Sequence, residues 1–451
     1  MPRAVRATIQ ALILLAILAL AATACGPAGS ASGTLELVVS GLPSGTSADI
    51  QVAGRNVSAS TTLTLAPGTY ELSAQPVVLS DPIMGDRRSP TTATQSLTVS
   101  AGASTTVNVS YTPAQTALLL APNYGNDSVT VLRRADLVEA GQAFAEWELE
   151  VSGSAIRAIT GMALGPDGRL YVTSANEGAI FVVDAADFDS DGPVTPAAII
   201  ASAALRSPRG PAFDSRGQLW IGDYTNDQLL RFDDVLNAQG PDVSAEPALV
   251  VSVNDADPDN AFSDIQDVFV DHLDNVWVAS EANRLVYRFE GLAELASVPA
   301  QGVQPALMLT TRRARDWPVF DTVMEPMSLV VDTAGRLYVG TNRSGDKDAI
   351  LRVDDATSLS GIFTIDASAY LEVGAASDPR AVALDQSGAL WVGYYDGTLV
   401  RITAPESGSG SIDLGASGQI DRTLSWQRNN RGFVQGGTLT FVPTQGPQAG
   451  H

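Results

Sequence analysis

The chain has 451 residues, of which 45% are hydrophobic and only 17% charged, and its 50 acidic side chains against 27 basic ones leave a net charge of −23. So acidic a molecule repels phosphate backbones, which excludes nucleic acid as a partner and suits a solvated extracellular surface. One cysteine, Cys25, excludes intrachain disulfides and multi-cysteine zinc sites, and two histidines, His272 and His451, exclude most histidine chemistry.

Arg3 and Arg6 precede an apolar run, residues 9–22, of 14 residues. A bilayer span needs roughly 20 apolar residues; the shorter run is that of a secretion signal. It ends in "ATAC", Ala22 to Cys25, followed by "GPAGSASG". This resembles the bacterial lipobox, in which small residues precede a cysteine that is lipidated and becomes the mature N-terminus. The family prefers Leu where Ala22 stands; the competing reading is an ordinary secretion signal with an incidental cysteine. The resemblance implies a signal peptide over 1–24, a lipid on Cys25, a flexible tether over 25–33, and a cell-envelope protein facing outside the cytoplasm. Two acyl attachments anchor a protein stably in a membrane.

Residues 34–113 alternate apolar and polar side chains, as half-buried strands do. "APGTY" (Ala66 to Tyr70) reads as a turn, and "QSLTVSAGASTTVNVSYT" (Gln95 to Thr112) as a hairpin about Ala101-Gly102. The segment resembles the small immunoglobulin-like or PEGA-type β-sandwiches of bacterial surface proteins, chiefly through "PGTY", and reads as a spacer or adhesion module.

From 114 to 445 a unit repeats. Its marker is a turn residue: Gly168 in "GPDGRLYV", Gly217 in "DSRGQLWI", Asp274 in "DHLDNVWV", Gly335 in "DTAGRLYV" and Gly388 in "DQSGALWV", at spacings of 49, 57, 61 and 53 residues. Each unit reads as an inner strand, a second strand after the turn, a polar loop, a third strand and a poorer fourth, which is a propeller blade. The best unit, with Pro208, Gly210, Asp214, Gly217, Leu219, Trp220, Asp223 and Asn226, resembles the NHL repeat and the SMP-30/gluconolactonase propellers; Pro379, Asp385, Gly388, Leu390 and Trp391 match nearly as well. The expected fold is therefore all-β: a six-bladed propeller after the small sandwich. "ALLLAPNYGNDSVTVL" (Ala117 to Leu132) lacks an inner strand, and "GGTLTFVP" (Gly436 to Pro443) supplies one, so the last strand should close the ring; 446–451 is a tail.

The repeated Asp214, Asp271, Asp332 and Asp385 read as caps of the following turn. Arg231, Arg288, Arg352 and Arg401 read as inter-blade ion-pair partners, and Trp220, Trp277 and Trp391 as core.

Chemistry is expected at the channel mouth where the inner strands begin: Arg209, Asp264, Gln266, Glu325 and Arg380, with Thr160, Asp378 and Gln435. Two classes compete. The first is an envelope-displayed binding or scaffolding propeller whose partners are envelope proteins or glycans. The second, implied by the SMP-30 resemblance, is a metal-dependent lactonase or esterase using Glu325 and Asp264. No inner strand begins with Asn to complete that ligand set, Asn342 and Asn283 read as lying at the opposite end of the second strand, and two arginines oppose a dication. Streptogramin-lyase-type and paraoxonase-type propellers use channel histidines, which His272, in a turn, and His451, at the terminus, do not supply. No catalytic residue is assigned and no cofactor is certain. A structural calcium is possible at "DFDSDG", where Asp187, Asp189 and Asp191 alternate before Gly192; the acidic run "NDADPDN" (Asn254 to Asn260) is a weaker candidate.

Overall fold

A computed structural model describes residues 32–42, 46–75, 77–78, 87–113, 118–124, 127–133, 145–188, 191–253, 255–299, 302–312, 325–342, 349–373, 378–385, 388–425 and 439–442. Cys25, Asp189, Gln435 and His451 lie outside them. The chain divides into two compact units, the first of residues 1–78 and 88–113, the second of residues 79–87 and 114–451.

The first unit has two sheets. One orders Thr61–Leu65, Gly33–Ser40, Ser104–Pro113, Arg87–Pro90 and Val77–Val78; the other orders Arg55–Val57, Asp49–Val52, Gly68–Gln75 and Thr94–Val99. Alternate residues Leu35, Leu37, Ile50, Val52, Leu72, Leu97, Val107 and Val109 form one shared core. The segment around Ala101-Gly102 is not the expected hairpin. Thr94–Val99 pairs with Gly68–Gln75, whereas Ser104–Pro113 runs parallel to Gly33–Ser40. The turn, with Gly102 at φ 69°, carries the chain between sheets. A local turn signal does not fix which neighbour a strand takes when its apolar face can serve either sheet.

The second unit is a β-propeller. Its described residues form six sheets, each with four antiparallel strands in meander order. The inner strands are Thr440–Val442, Ile159–Leu164, Pro208–Phe213, Ile265–Val270, Glu325–Val331 and Pro379–Leu384, and sheets 1 to 6 are numbered from them. In sheet 1 the chain's last described strand pairs with Leu118–Asn123, Leu119 opposite Phe441.

Inner strands of successive sheets are tied directly. Thr440 Oγ1 donates to Met162 O (3.1 Å), and Thr160 Oγ1 to Pro208 O (2.6 Å). Leu329 N donates to Asp267 Oδ2 (3.0 Å). Sheets 3 and 4 approach through Gly210, whose φ is 50° and where an added Cβ would lie 2.4 Å from Val268 N and 2.6 Å from Asp267 Cα. Gly210→Ala should therefore cost about 2–4 kcal/mol, strain plus displacement of a neighbouring backbone. Gly388→Ala, with φ 80° but open space, should cost only about 1–2. Equal denaturation midpoints for the two variants would remove the close-approach argument.

The turn motif works as its residues suggest. Asp214 Oδ1 accepts from Arg216 N (3.0 Å) and Gln218 N (2.9 Å), and its Oδ2 accepts from the indole of Trp220 (2.9 Å). Asp271 and Trp277 repeat this, as do Asp385 and Trp391. The three tryptophans are fully buried, so each Asp satisfies the polar edge that its blade's largest apolar side chain takes into the core.

The arginines behave differently from the inter-blade ion pairs expected. Arg231, Arg288 and Arg352 pair within their own blade, with Asp233, Glu290 and Asp354 two residues on. What they give the next blade is hydrogen bonds to carbonyls: Arg231 to Leu292 O and Leu295 O (both 3.0 Å), Arg288 to Leu359 O (2.8 Å), Arg352 to Gly408 O (2.7 Å). Arg401 instead pairs with Asp385 of its own sheet at 2.8 Å, both buried.

A feature with no counterpart in the sequence reading is a parallel fifth strand. Gly192–Val194, Gly240–Ser244, Gly361–Asp366 and Gly410–Asp413 each leave the connection between third and fourth strands of one sheet and pair with the outer strand of the sheet before it. A single bridge, Val253 to Val303, does the same between sheets 3 and 4. These strands cover edges that would otherwise present unpaired backbone groups.

Candidate functional site

Sheets 2 to 6 each have a register shift at the start of the inner strand: at Ile159/Gly161, Arg209/Ala212, Ile265/Asp267, Pro326/Ser328 and Pro379/Ala381. A bulge there re-aims one side chain out of the sheet's alternation. The residues within or beside these bulges are Thr160, Arg209, Gln266, Met327 and Arg380. Asp264 and Asp378, just ahead of two inner strands, hold φ 55° and 66°, a strained backbone of the kind that clusters at functional sites.

Antiparallel return brings a second ring of residues to the same end. Pro208 lies opposite Asp223, Ile265 opposite Ser280, Glu325 opposite Asn342 and Pro379 opposite Tyr394. Tyr224, Glu281, Asn342 and Tyr395 therefore stand at the mouth end. This corrects the placing of Asn342 and Asn283 away from it: Asn342 is in register with Glu325, and Asn283 is two residues beyond Glu281.

The structure joins several of these side chains. Arg209 Nη1 donates to Gln266 Oε1 (3.0 Å), and Gln266 Nε2 donates to Glu281 Oε2. The Tyr224 ring lies 4.5 Å from the Arg209 guanidinium carbon. Asp264 N donates to Asp227 Oδ1 (2.6 Å). Arg380 makes a two-point ion pair with Asp378, Nε to Oδ1 and Nη2 to Oδ2, both 2.6 Å, and lies 5.3 Å from the Tyr395 ring. Glu325 Oε1 lies 3.4 Å from Arg284 Nη2.

Electrostatically the cluster is one site. Burial pulls the Arg209 guanidinium below its ordinary pKa, with Tyr224, Tyr124 and Glu281 opposing and Arg380 adding to the shift; these neighbours belong to sheets 3, 1, 4 and 6. Burial raises the Glu281 carboxyl, with Gln266 and Arg380 opposing and Glu325 and Asp264 adding. Asp264 is raised by burial and by Asp227, and Asp378 by burial against the pull of Arg380. Deeper, Asp267 is fully buried, and burial pushes its carboxyl up to about 7 despite hydrogen bonds from Leu329 N and Val268 N.

Thus Arg209, Gln266 and Asp264 are brought together, Arg380 lies within electrostatic reach, and Glu325 sits one blade further round. Thr160 is spent on bonding its neighbours Thr173 and Pro208. Glu281, Tyr224, Tyr395 and Asp267 were missed. Three of them carry a usable signal: Tyr224, Glu281 and Tyr395 each follow their turn marker by seven residues, as Asn342 does. No three or more His, Cys, Asp or Glu among the described residues converge as metal ligands. His272 is exposed in the Asp271–Asp274 turn, away from the mouth.

At the expected calcium loop, Asp187 ends a short 3₁₀ turn and Asp191 is exposed. Gly192, φ 106°, begins the parallel strand that pairs with Trp147. In the second acidic run, Asp257 N donates to Asp255 Oδ1 (2.8 Å) and Asp259 N to Asp257 Oδ1 (3.0 Å), so those carboxylates cap their own turn.

No protein-family model matches the chain, and no curated protein matches it in sequence. Solved structures similar to it include virginiamycin B lyase from Staphylococcus aureus, at 10% identity over 81% of this chain and 90% of that one, TM-score 0.38. The WD40 β-propeller domain of Doa1 is 11% identical over 69% and 80%, TM-score 0.40. A protein from Lactobacillus plantarum is 14% identical over 69% and 82%, TM-score 0.41.

Proposed function

We propose that the chain is a binding propeller displayed on the bacterial cell envelope, anchored by lipid on Cys25 and raised from the membrane by its small first unit, a β-sandwich spacer. Its six sheets form a six-bladed ring of the NHL/SMP-30 kind, closed by the pairing of Thr440–Val442 with Leu118–Asn123, and the mouth of that ring is the ligand seat. One observation carries the reading. The repeated Asp, Arg and Trp side chains are consumed by turns, carbonyls and core, whereas the non-repeating polar side chains gather where the inner strands bulge, joined as Arg209–Gln266–Glu281. A scaffold uses the same residue in each blade; a ligand asks for different ones. Envelope proteins and glycans are the partner classes that suit this address.

A metal-dependent hydrolase is the second reading. The register that sets Asn342 opposite Glu325 favours it; the engagement of Glu325 by Arg284 weighs against it. A structural calcium at Asp187, Asp189 and Asp191 belongs to the proposal as a separate site, checked by calorimetry on chelator-treated protein.

The test has two arms. Cys25→Ser should move the protein from the membrane fraction to the soluble fraction; retention at wild-type levels would place the anchor elsewhere. The mature protein, in detergent, should recover ligands from an array of envelope glycans and peptides. Tyr224→Ala and Tyr395→Ala should weaken that capture several-fold with little change in thermal midpoint. No captured ligand, or capture indifferent to both substitutions, would overturn the mouth as the seat.

A further inference from the structure

Arg209 differs from the other arginines of the mouth in how its charge is met. Arg380 is held by Asp378, and Arg284 by Glu325. The Glu281 carboxylate is engaged too, by Gln266. Arg209 is only 6% exposed. Among the described residues it has no ion pair and donates one hydrogen bond, to the neutral amide oxygen of Gln266. Its Nε is buried with no acceptor. The Tyr224 ring covers the guanidinium without supplying a hydrogen-bond acceptor. A buried cation with donors unused is costly, and an anion placed against it recovers both the charge interaction and the missing hydrogen bonds.

The anion's kind follows from its neighbours. A guanidinium offers parallel N–H donors that match two oxygens of one carboxylate. Asp264 and Glu281 act on Arg209 electrostatically, and Glu325 acts on Glu281 in turn, on a chain of net charge −23. A dianionic phosphate would meet that field with twice the repulsion of a monoanion.

We propose that Arg209 is the seat for a ligand's carboxylate and that the mouth selects carboxylic acids over neutral and phosphorylated analogues. This rests on the reading of the mouth as a ligand seat and names the chemistry that it recognises.

The experiment uses the mature protein in detergent and three probes of one ring size: glucuronate, glucose and glucose 1-phosphate, titrated calorimetrically to millimolar concentration. Glucuronate alone should bind saturably. Arg209→Gln should weaken it about tenfold or more, the loss of a charge-assisted pair, and Arg209→Lys should retain part of the affinity. Where Arg209→Gln does not fold, the wild-type protein still decides: glucuronate should shift one arginine Nε–H resonance and glucose should not. Equal binding of glucose, tighter binding of glucose 1-phosphate, affinity indifferent to Arg209→Gln, or no glucuronate binding would each overturn the carboxylate assignment. Those results leave the seat itself standing if the array still yields a ligand sensitive to Tyr224→Ala and Tyr395→Ala.

Discussion

Asp385→Ala should destabilise the propeller by roughly 3–5 kcal/mol, the cost of breaking a buried charge pair from one side. Asp385 has a fully buried side chain and Arg401 is 4% exposed at 2.8 Å from it. The same carboxylate accepts from the Trp391 indole (3.0 Å) and Ala389 N (3.0 Å). Removal takes from the Arg401 guanidinium, the Trp391 indole and Ala389 N the carboxylate that they share in the sixth sheet. Asp233→Ala should cost far less, since Arg231 keeps its carbonyls on the next blade and Asp233 is more exposed. Adding Arg401→Met to Asp385→Ala should recover much of the loss, because an apolar side chain of similar length needs no partner there. Denaturant unfolding of the four proteins checks this; a single substitution costing under about 1 kcal/mol would show that the pair is hydrated and not a buried tie.

The second large effect is on the pH dependence of stability. The folded-state pKa of Asp267 is about 7 against an ordinary value of 3.8. Between those values the folded protein keeps a proton that the unfolded chain has released, so stability falls as pH rises through the window, and the full cost is present above pH 7. At 1.36 kcal/mol per unit the cost is about 4 kcal/mol. Glu281, Asp264 and Asp378 are shifted in the same direction by burial and add to it. Asp267→Asn keeps one acceptor and removes the charge. The variant should equal the wild type near pH 4 and exceed it by a few kcal/mol near pH 8, giving a flatter profile. Parallel profiles, or a variant weaker at pH 8, would show that the bonds from Leu329 N and Val268 N matter more than desolvation.

The repeat was legible because its physics is local. A turn of this kind favours Gly or Asp at the marker, an Asp ahead of it to accept its N–H groups, and an aromatic six residues on that the Asp can reach; these recur in sequence as they do in space. The mouth was half legible. Reading the start of each inner strand found Arg209, Gln266 and Arg380. It missed Glu281 and Tyr224, because it did not follow the hairpin back to the end where it started. The parallel strands were illegible as strands, being three to six residues long in connections of varied length, yet each begins with a glycine at positive φ: Gly192, Gly240, Gly361 and Gly410. In the first unit, alternation located the strands but not their partners, and so Thr94–Val99 and Ser104–Pro113 were joined in one hairpin when they belong to different sheets. Asp267 gave no signal; a carboxyl's burial depends on what three neighbouring strands place around it.

The central claim, that this propeller works through its mouth, is tested most directly by hydrogen–deuterium exchange of the mature protein with and without the tightest ligand recovered from the envelope array. Slower exchange is expected in 205–210, 223–228, 263–266, 280–284, 378–381 and 394–397, segments far apart in sequence that meet at the bulged ends of the inner strands. Protection confined to the parallel outer strands, or to the first unit, with these six segments unchanged, would contradict it.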